Sequence, residues 1–356
     1  MRVMVVGSGF SRFLADKARI AFPITKDFLR IARQRTENEG SLAQFWRFMR
    51  EIESAAGIDL SSASAQADLD RLDVEGIYDM VDVSAKLSED IWAGTSPFDP
   101  FIIRQQLQRM IAMVLVSLSI DNRVALAEAC AGIINRLRPD AILTLNWDTI
   151  VDMLLQTPGE PIQYNVAGQP PMNYFIPKPP DFYGCSNDDF LRWHKQPFES
   201  TSHPSIDQRF TLYKLHGSLN WFSCRDNNHF LIGDPDAAYA DFVDPDTRCP
   251  IDSSKVDPLI LPPASSKDYA QKPFPQIWRG AFEKLRFAKE IIFFGCSIRE
   301  ADFRLRDLIF KTHLWQRPRH FIPSVKVIDS DSASVKKKLK DLFGFPEIGE
   351  INPASL

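Results

Sequence analysis

Arg2-Val3-Met4-Val5-Val6-Gly7-Ser8-Gly9-Phe10-Ser11 opens the chain with an apolar run that breaks abruptly into Gly-Ser-Gly. A continuous apolar run of this length reads as a strand buried on both faces, as in a parallel sheet. Gly7 permits a turn too tight for a Cβ, and Gly9 lets the backbone approach a ligand closely. The helical pattern that begins at Phe10 would aim free N–H groups and a positive dipole end at an anion. Ser11 adds a hydroxyl donor. The motif is a shortened glycine-rich loop, because Arg12 stands where a third glycine would complete GxGxxG. A tight strand-to-helix turn with no ligand satisfies it equally.

Three later segments repeat the arrangement. Thr144-Leu145-Asn146-Trp147-Asp148 closes a strand-like run at 141–145. Leu215-His216-Gly217-Ser218 closes one at 210–215, and Phe294-Gly295-Cys296-Ser297 closes one at 290–294. Ligands of open parallel sheets sit at the carboxyl ends of the strands, so four such ends predict one pocket gathered from distant parts of the chain. Asn146 has both donor and acceptor groups and can orient a water or a ribose hydroxyl. Asp148 can accept from a carboxamide, or cap the helix that begins at Thr149. Of the six histidines, only His216 stands at the end of an apolar strand and before Gly-Ser. Imidazole is the natural general base near neutral pH. Gly295 permits close approach, and Ser297 can bond a phosphate or a ribose. Arg299, Glu300 and Asp302 read as capping and surface pairing at a helix start. Asp329, after a last strand at 324–328, can meet a ribose or simply turn the chain.

Between these motifs the texture is helical from about 36 to 138, where apolar residues such as Phe45, Trp46, Met49 and Ile52 recur at helical spacing. This predicts a helical insertion forming a smaller module. The segment 158–210 begins rich in Pro, Tyr and Gly and reads as an irregular loop, and 224–255 as polar and turn-rich. A helix at 332–342 leads into a C-terminal helix and tail at 336–356. Strands alternating with helices argue for an α/β, Rossmann-like, doubly wound parallel sheet. Residues 1–335 read as one domain.

Composition narrows the function. Lys and Arg total 42 against 46 Asp and Glu, a formal net charge of −4, which gives no electrostatic reason to expect nucleic acid. Lys336, Lys337, Lys338 and Lys340 read as a solvated helix face. Five cysteines form no CxxC pair, so neither a disulfide scaffold nor a four-cysteine zinc module is expected, and no metal site. Cys296 reads as a small buried residue. No secretion signal is visible, and no apolar stretch approaches the roughly 20 residues that cross a bilayer. The chain reads as soluble and cytoplasmic, without a membrane partner.

Taken together and in order, Gly7-Ser8-Gly9-Phe10-Ser11, Thr144-Leu145-Asn146-Trp147-Asp148, His216-Gly217 and Gly295-Cys296-Ser297 resemble the motifs of the Sir2 (sirtuin) superfamily. The runs at 214–221 and 293–302 resemble its bacterial anti-phage defence branch. The resemblance implies an NAD pocket, with Gly7, Ser8, Gly9, Phe10, Ser11, Gly295, Ser297 and Asp329 among the cofactor contacts. It places Asn146 and Asp148 at the nicotinamide ribose and carboxamide, with Asn146 and His216 catalytic. The implied activity is hydrolysis of NAD+ to nicotinamide and ADP-ribose by a defence effector that depletes NAD. Sirtuin deacylases carry Gln where Leu145 stands and a four-cysteine zinc module, and this chain has neither. Deacylation or ADP-ribosyl transfer therefore stands second, and a non-catalytic NAD or ADP-ribose sensor third. A homo-oligomer or a regulatory protein partner is expected to restrain an NADase.

Overall fold

Val3 to Val6 are wholly buried and form the middle of an eight-stranded sheet. The computed structural model describes residues 1–23, 28–57, 74–87, 98–154, 162–164, 172–174, 210–224, 230–232, 256–261, 269, 274–299, 302–316, 318 and 322–356. Among these residues the strands are β1 (Arg2–Val6), β2 (Ala141–Thr144), β3 (Ile162–Tyr164), β4 (Met172–Tyr174), β5 (Thr211–Lys214), β6 (Gly217–Cys224), β7 (Phe230–Ile232), β8 (Val256–Ile260), β9 (Glu290–Phe294), β10 (Ser324–Ile328) and β11 (Ile348–Glu350). The helices are α1 (Ser8–Lys17), α2 (Phe28–Thr36), α3 (Ala43–Ala56), α4 (Val74–Leu87), α5 (Pro100–Asp121), α6 (Arg123–Leu137), α7 (Ile150–Met153), α8 (Phe274–Arg286), α9 (Phe303–Gln316) and α10 (Ser332–Phe343).

The sheet runs β11-β10-β9-β1-β2-β5-β3-β4. Neighbours are parallel except β3 with β4. The chain builds outward from β1 through β2 and β5, then returns to the other side of β1 through β9, β10 and β11. This is the expected doubly wound α/β sheet, with the strand order reversing between β1 and β9.

Register decides where the motifs start. Val6 pairs with Thr144 and with Phe294, Thr144 pairs with Lys214, and Phe294 pairs with Ile328. Gly7, Leu145, Leu215, Gly295 and Asp329 therefore leave five contiguous strands at one level. The four sequence motifs and Asp329 share a single edge of the sheet.

The chain divides into two compact units. One comprises Met1–Phe22, Ser119–Ile260 and Tyr269–Leu356, and contains the sheet. The other comprises Pro23–Leu118 and Leu261–Asp268. The helical stretch expected at 36–138 is thus divided: α6 packs on α1 and α7 and belongs to the sheet unit, while α2 to α4 lie in the other. In the second unit the Trp46 indole donates to the Thr36 carbonyl at 3.0 Å, and Arg33 pairs with Glu53 at 2.7 Å.

Other expectations are corrected. The tail is not separate from the domain, because Val325 to Val327 pair with Ile348 to Glu350 and β11 extends the sheet. The stretch expected to be irregular holds β3 and β4, and its remainder lies outside the described residues. The segment after His216 forms an antiparallel sheet of its own, β7-β6-β8. Its first strand was hidden because only Leu215 and His216 separate it from β5.

At the switch between β1 and β9 the backbones touch. Gly295 has φ +57, and a Cβ there would lie 2.1 Å from the Phe10 nitrogen. A Cβ on Gly7 would lie 2.6 Å from the Gly295 oxygen, and one on Gly9 2.7 Å from the Gly295 Cα. All three glycines are needed to bring the two loops together. Gly295→Ala should destabilise the protein by about 2 kcal/mol or more in urea denaturation, from left-handed strain plus overpacking. Gly132→Ala, on the exposed side of α6 with no atom within 4 Å of the new Cβ, should stabilise it by about 0.5–1 kcal/mol.

Candidate functional site

The loop from β1 to α1 is held by main-chain bonds. The Gly7 N–H donates to the Phe294 carbonyl at 3.2 Å, and the Gly9 N–H to the Gly295 carbonyl at 3.0 Å. The Gly9 N–H is thereby committed within the protein, and its missing Cβ serves the contact with Gly295. The Phe10 ring is buried edge-on against Phe294, centroids 4.9 Å apart. Ser8 is exposed at the first turn of α1, while Ser11 points inward and is buried.

Ser11 begins a polar network. Its hydroxyl donates to the Asp148 carboxylate at 2.6 Å. The Asn146 amide nitrogen lies 2.9 Å from the Gly7 carbonyl and 2.8 Å from the Ser11 oxygen. A carbonyl only accepts, so the group facing Gly7 must be the NH₂. Both N–H bonds are then used within the protein, and Oδ1 is the atom left to meet a ligand. Asn146 is half-buried, and it offers an acceptor rather than a donor.

Asp148 is buried. Besides Ser11, its carboxylate accepts from the Ile150 N–H two residues on, at 3.2 Å, while the N-cap of α7 is Thr149 rather than Asp148. Burial pushes its pKa upward, opposed by Lys214, the Ser11 hydroxyl and the Ile150 N–H. Lys214 is 1% exposed and donates to the Asp152 carboxylate at 3.0 Å and to the Asp148 main-chain carbonyl.

His216 follows β5 as Asn146 follows β2, each two residues beyond the register partners Lys214 and Thr144. Gly217, at φ +81, turns the chain where a Cβ would meet the Leu259 oxygen at 2.1 Å. The Leu219 N–H donates to the Trp147 carbonyl at 2.9 Å, which ties the third motif to the second. The imidazole is buried, with Nε2 3.7 Å from the Asp302 carboxylate. Trp278 and Tyr269 flank it at centroid distances of 6.2 and 6.4 Å. The Trp278 indole donates to the Leu215 carbonyl at 3.0 Å, and the Arg304 guanidinium lies over the Tyr269 ring at 5.4 Å. Burial and the nearby Asp302 raise the pKa of Tyr269, so it is a neutral phenol.

The fourth motif is split between wall and surface. Cys296 is buried and its thiol is pushed up to about 12, mainly by burial; it is a packed thiol, not a thiolate nucleophile. Ser297 is exposed, and its hydroxyl accepts from Arg299 at 3.4 Å. Lys338, expected only on a solvated face, donates to the Ser297 carbonyl at 2.9 Å. Asp329 accepts from the Asp331 N–H at 2.8 Å, which is its turn role. Glu300 lies outside the described residues. Among the described residues, no three His, Cys, Asp or Glu side chains gather as metal ligands, and no single helix is long and apolar enough to cross a membrane.

Sequence reading missed Lys214, Asp152 and the inward aim of Asp302. A signal existed for the first two: a lysine ending the apolar strand Leu212-Tyr213-Lys214, and an acid inside Ile150-Val151-Asp152-Met153. Buried charges of opposite sign imply one another. Asp302 had no such signal, because it stands before a helix that offers a capping role.

No family model matches the chain, and no curated protein matches it. Solved structures do. It is similar to a sirtuin studied for substrate affinity, at 9% identity and TM-score 0.40 over 92% of this chain and 82% of that one. It is similar to a Sir2 homologue in complex with NAD, at 12% identity and TM-score 0.36 over 96% and 90% of the two chains. A third is Sir2 with a p53 peptide and NAD+, at 8% identity and TM-score 0.36 over 96% and 92%. Likeness at this level carries no argument about chemistry, which rests on the side chains themselves.

Ser11→Ala should destabilise the protein by about 1–3 kcal/mol, since it strands buried partners on both sides. Ser297→Ala, at the exposed end of the site, should stay within about 0.5 kcal/mol of the parent. Chemical denaturation of both variants checks the contrast.

Proposed function

We propose that this protein cleaves the bond between nicotinamide and ribose in NAD+, with water as acceptor, giving nicotinamide, ADP-ribose and a proton. The observation that carries the reading is the pairing of Asn146 and His216. Each stands two residues past a register partner, Thr144 and Lys214, on neighbouring strands, one offering an acceptor oxygen and the other an imidazole.

The chemistry follows from those groups. Departure of neutral nicotinamide leaves a ribose with oxocarbenium character. Water attacking it gains acidity as the new bond forms. The Asn146 oxygen orients that water or an adjacent ribose hydroxyl, and His216 takes the proton and returns it to solvent. Asp302, facing Nε2, stabilises the imidazolium that forms. The Trp278 and Tyr269 rings exclude water from the side of His216, where a lower dielectric strengthens these interactions. The exposed first turn of α1 and the loop after β9 are the proposed seats of the phosphates. The sequence resemblance to defence proteins supports a role for this activity in NAD depletion, with self-assembly or a partner as the proposed restraint.

The test is a product chromatogram after incubation with NAD+, with and without an acylated peptide. Free ADP-ribose without peptide supports hydrolysis. O-acyl-ADP-ribose formed only with peptide would replace it with deacylation, and binding without turnover with a sensor. Asn146→Ala and His216→Ala should each lower turnover by about 10²–10⁴-fold, with circular dichroism unchanged. Near-parental turnover in both would remove these residues from the mechanism.

A further inference from the structure

Lys214 is the least expected charge in the sheet unit. It is 1% exposed and Asp152 is 0% exposed, yet neither residue reaches the ligand edge of the site. From the last position of β5, Lys214 grips α7 through Asp152 and grips the turn after β2 through the Asp148 carbonyl. That turn carries Asn146. A methionine or leucine would fill the same space and could make neither bond, so packing alone does not account for the lysine.

We propose that Lys214 is a positioning residue for the NAD site: by bridging Asp152 and the Asp148 carbonyl it sets the turn in which Asp148 receives the Ser11 hydroxyl and Asn146 offers Oδ1 to the ligand. The proposal rests on the reading of this edge as an NAD site. The link from Lys214 to Asn146 is a chain of donors. Lys214 fixes Asp148, Asp148 takes the hydrogen of Ser11, and the Ser11 oxygen then accepts from the Asn146 NH₂. A protonated Asp148 would itself donate to Ser11 and free the Ser11 hydrogen to turn away. The groups facing Asp148 are Lys214 of β5, Asp152 of α7, Ser11 of α1 and the Cys130 thiol of α6. Burial favours the proton on Asp148, and Lys214 is the cation that opposes it.

The test removes the ion pair as a unit, Lys214→Met with Asp152→Leu, so that no lone charge is left buried. For ADP-ribose formation by this variant, kcat at pH 7 should fall by about 10²-fold with KM little changed. Activity should recover toward alkaline pH, its acid limb moved to higher pH than the parent's as Asp148 becomes the titrating group. Infrared difference spectra against the corresponding Asp148→Asn proteins give a readout without ligand. A protonated carboxyl band should appear at pH 7 in the double variant and be absent from the parent. Should the parent leave NAD+ intact, the NAD reading alone fails and the band still decides the role of Lys214. Should the double variant not fold, the single variant Lys214→Gln decides: a lower kcat with a new protonated band for Asp148 supports the proposal, and the parental kcat and band overturn it. A protonated band in the parent overturns it, as does a folded double variant with the parental pH profile and no new band.

Discussion

The carboxyl edge of the sheet, where the site is proposed, depends on a contact that leaves no room for side chains. Gly295 turns in the left-handed region and lies against Gly9 and Phe10, with Gly7 pressed on its carbonyl. The Gly295 N–H is itself held by the Ile328 carbonyl at 2.8 Å. This links β10, β9 and the start of α1 into one rigid floor. Asn146 is anchored to that floor through the Gly7 carbonyl. The glycines therefore act on the proposed chemistry indirectly. They fix the carbonyl that orients the amide.

Behind the floor lies a small electrostatic problem. Asp148, Asp152 and Lys214 are all buried, so with all three ionised the cluster carries one net negative charge. Burying such a charge is costly unless hydrogen bonds satisfy it. Ser11, the Ile150 N–H and Lys214 supply those bonds. The same bonds leave Ser11 with a single orientation and the Asn146 amide with a single face toward the edge. Satisfaction of a buried charge and pre-organisation of a surface group are here one requirement. That explains why polar residues cluster beneath the site rather than only on its surface.

The ends of the strands were legible because each buried parallel strand ends in a change of residue class. Val3 to Val6 into Gly7, and Ile291 to Phe294 into Gly295, mark strand ends without any knowledge of pairing. What could not be read was anything set by a partner distant in sequence. Ile348 to Glu350 is too short and too polar to declare itself as a strand, and it becomes one only because β10 offers an edge. Gly9 looked like a phosphate seat, while its requirement is met by Gly295, 286 residues away along the chain (295 − 9). Asp302 reads as a helix cap until His216 is found 3.7 Å from it. Residue type announced where chemistry was possible, and pairing decided which atom faces which.

Strand order also separates two kinds of chemistry along the edge. From β10 through β9 to β1, the loop residues are the half-buried Asp329 and the exposed Ser297 and Ser8. From β2 to β5 they are the amide and imidazole of Asn146 and His216, backed by buried charge. Five strands at about 4.8 Å spacing span roughly 19 Å, a length suited to an extended dinucleotide. Under the proposed function, the adenosine and phosphates lie over the first three strands and the scissile bond over the last two. A ligand bound the other way round would put its phosphates on the side of the Asp302 carboxylate, which faces His216 at 3.7 Å, and away from the start of α1. Under that reading the positive end of the α1 dipole favours the first direction.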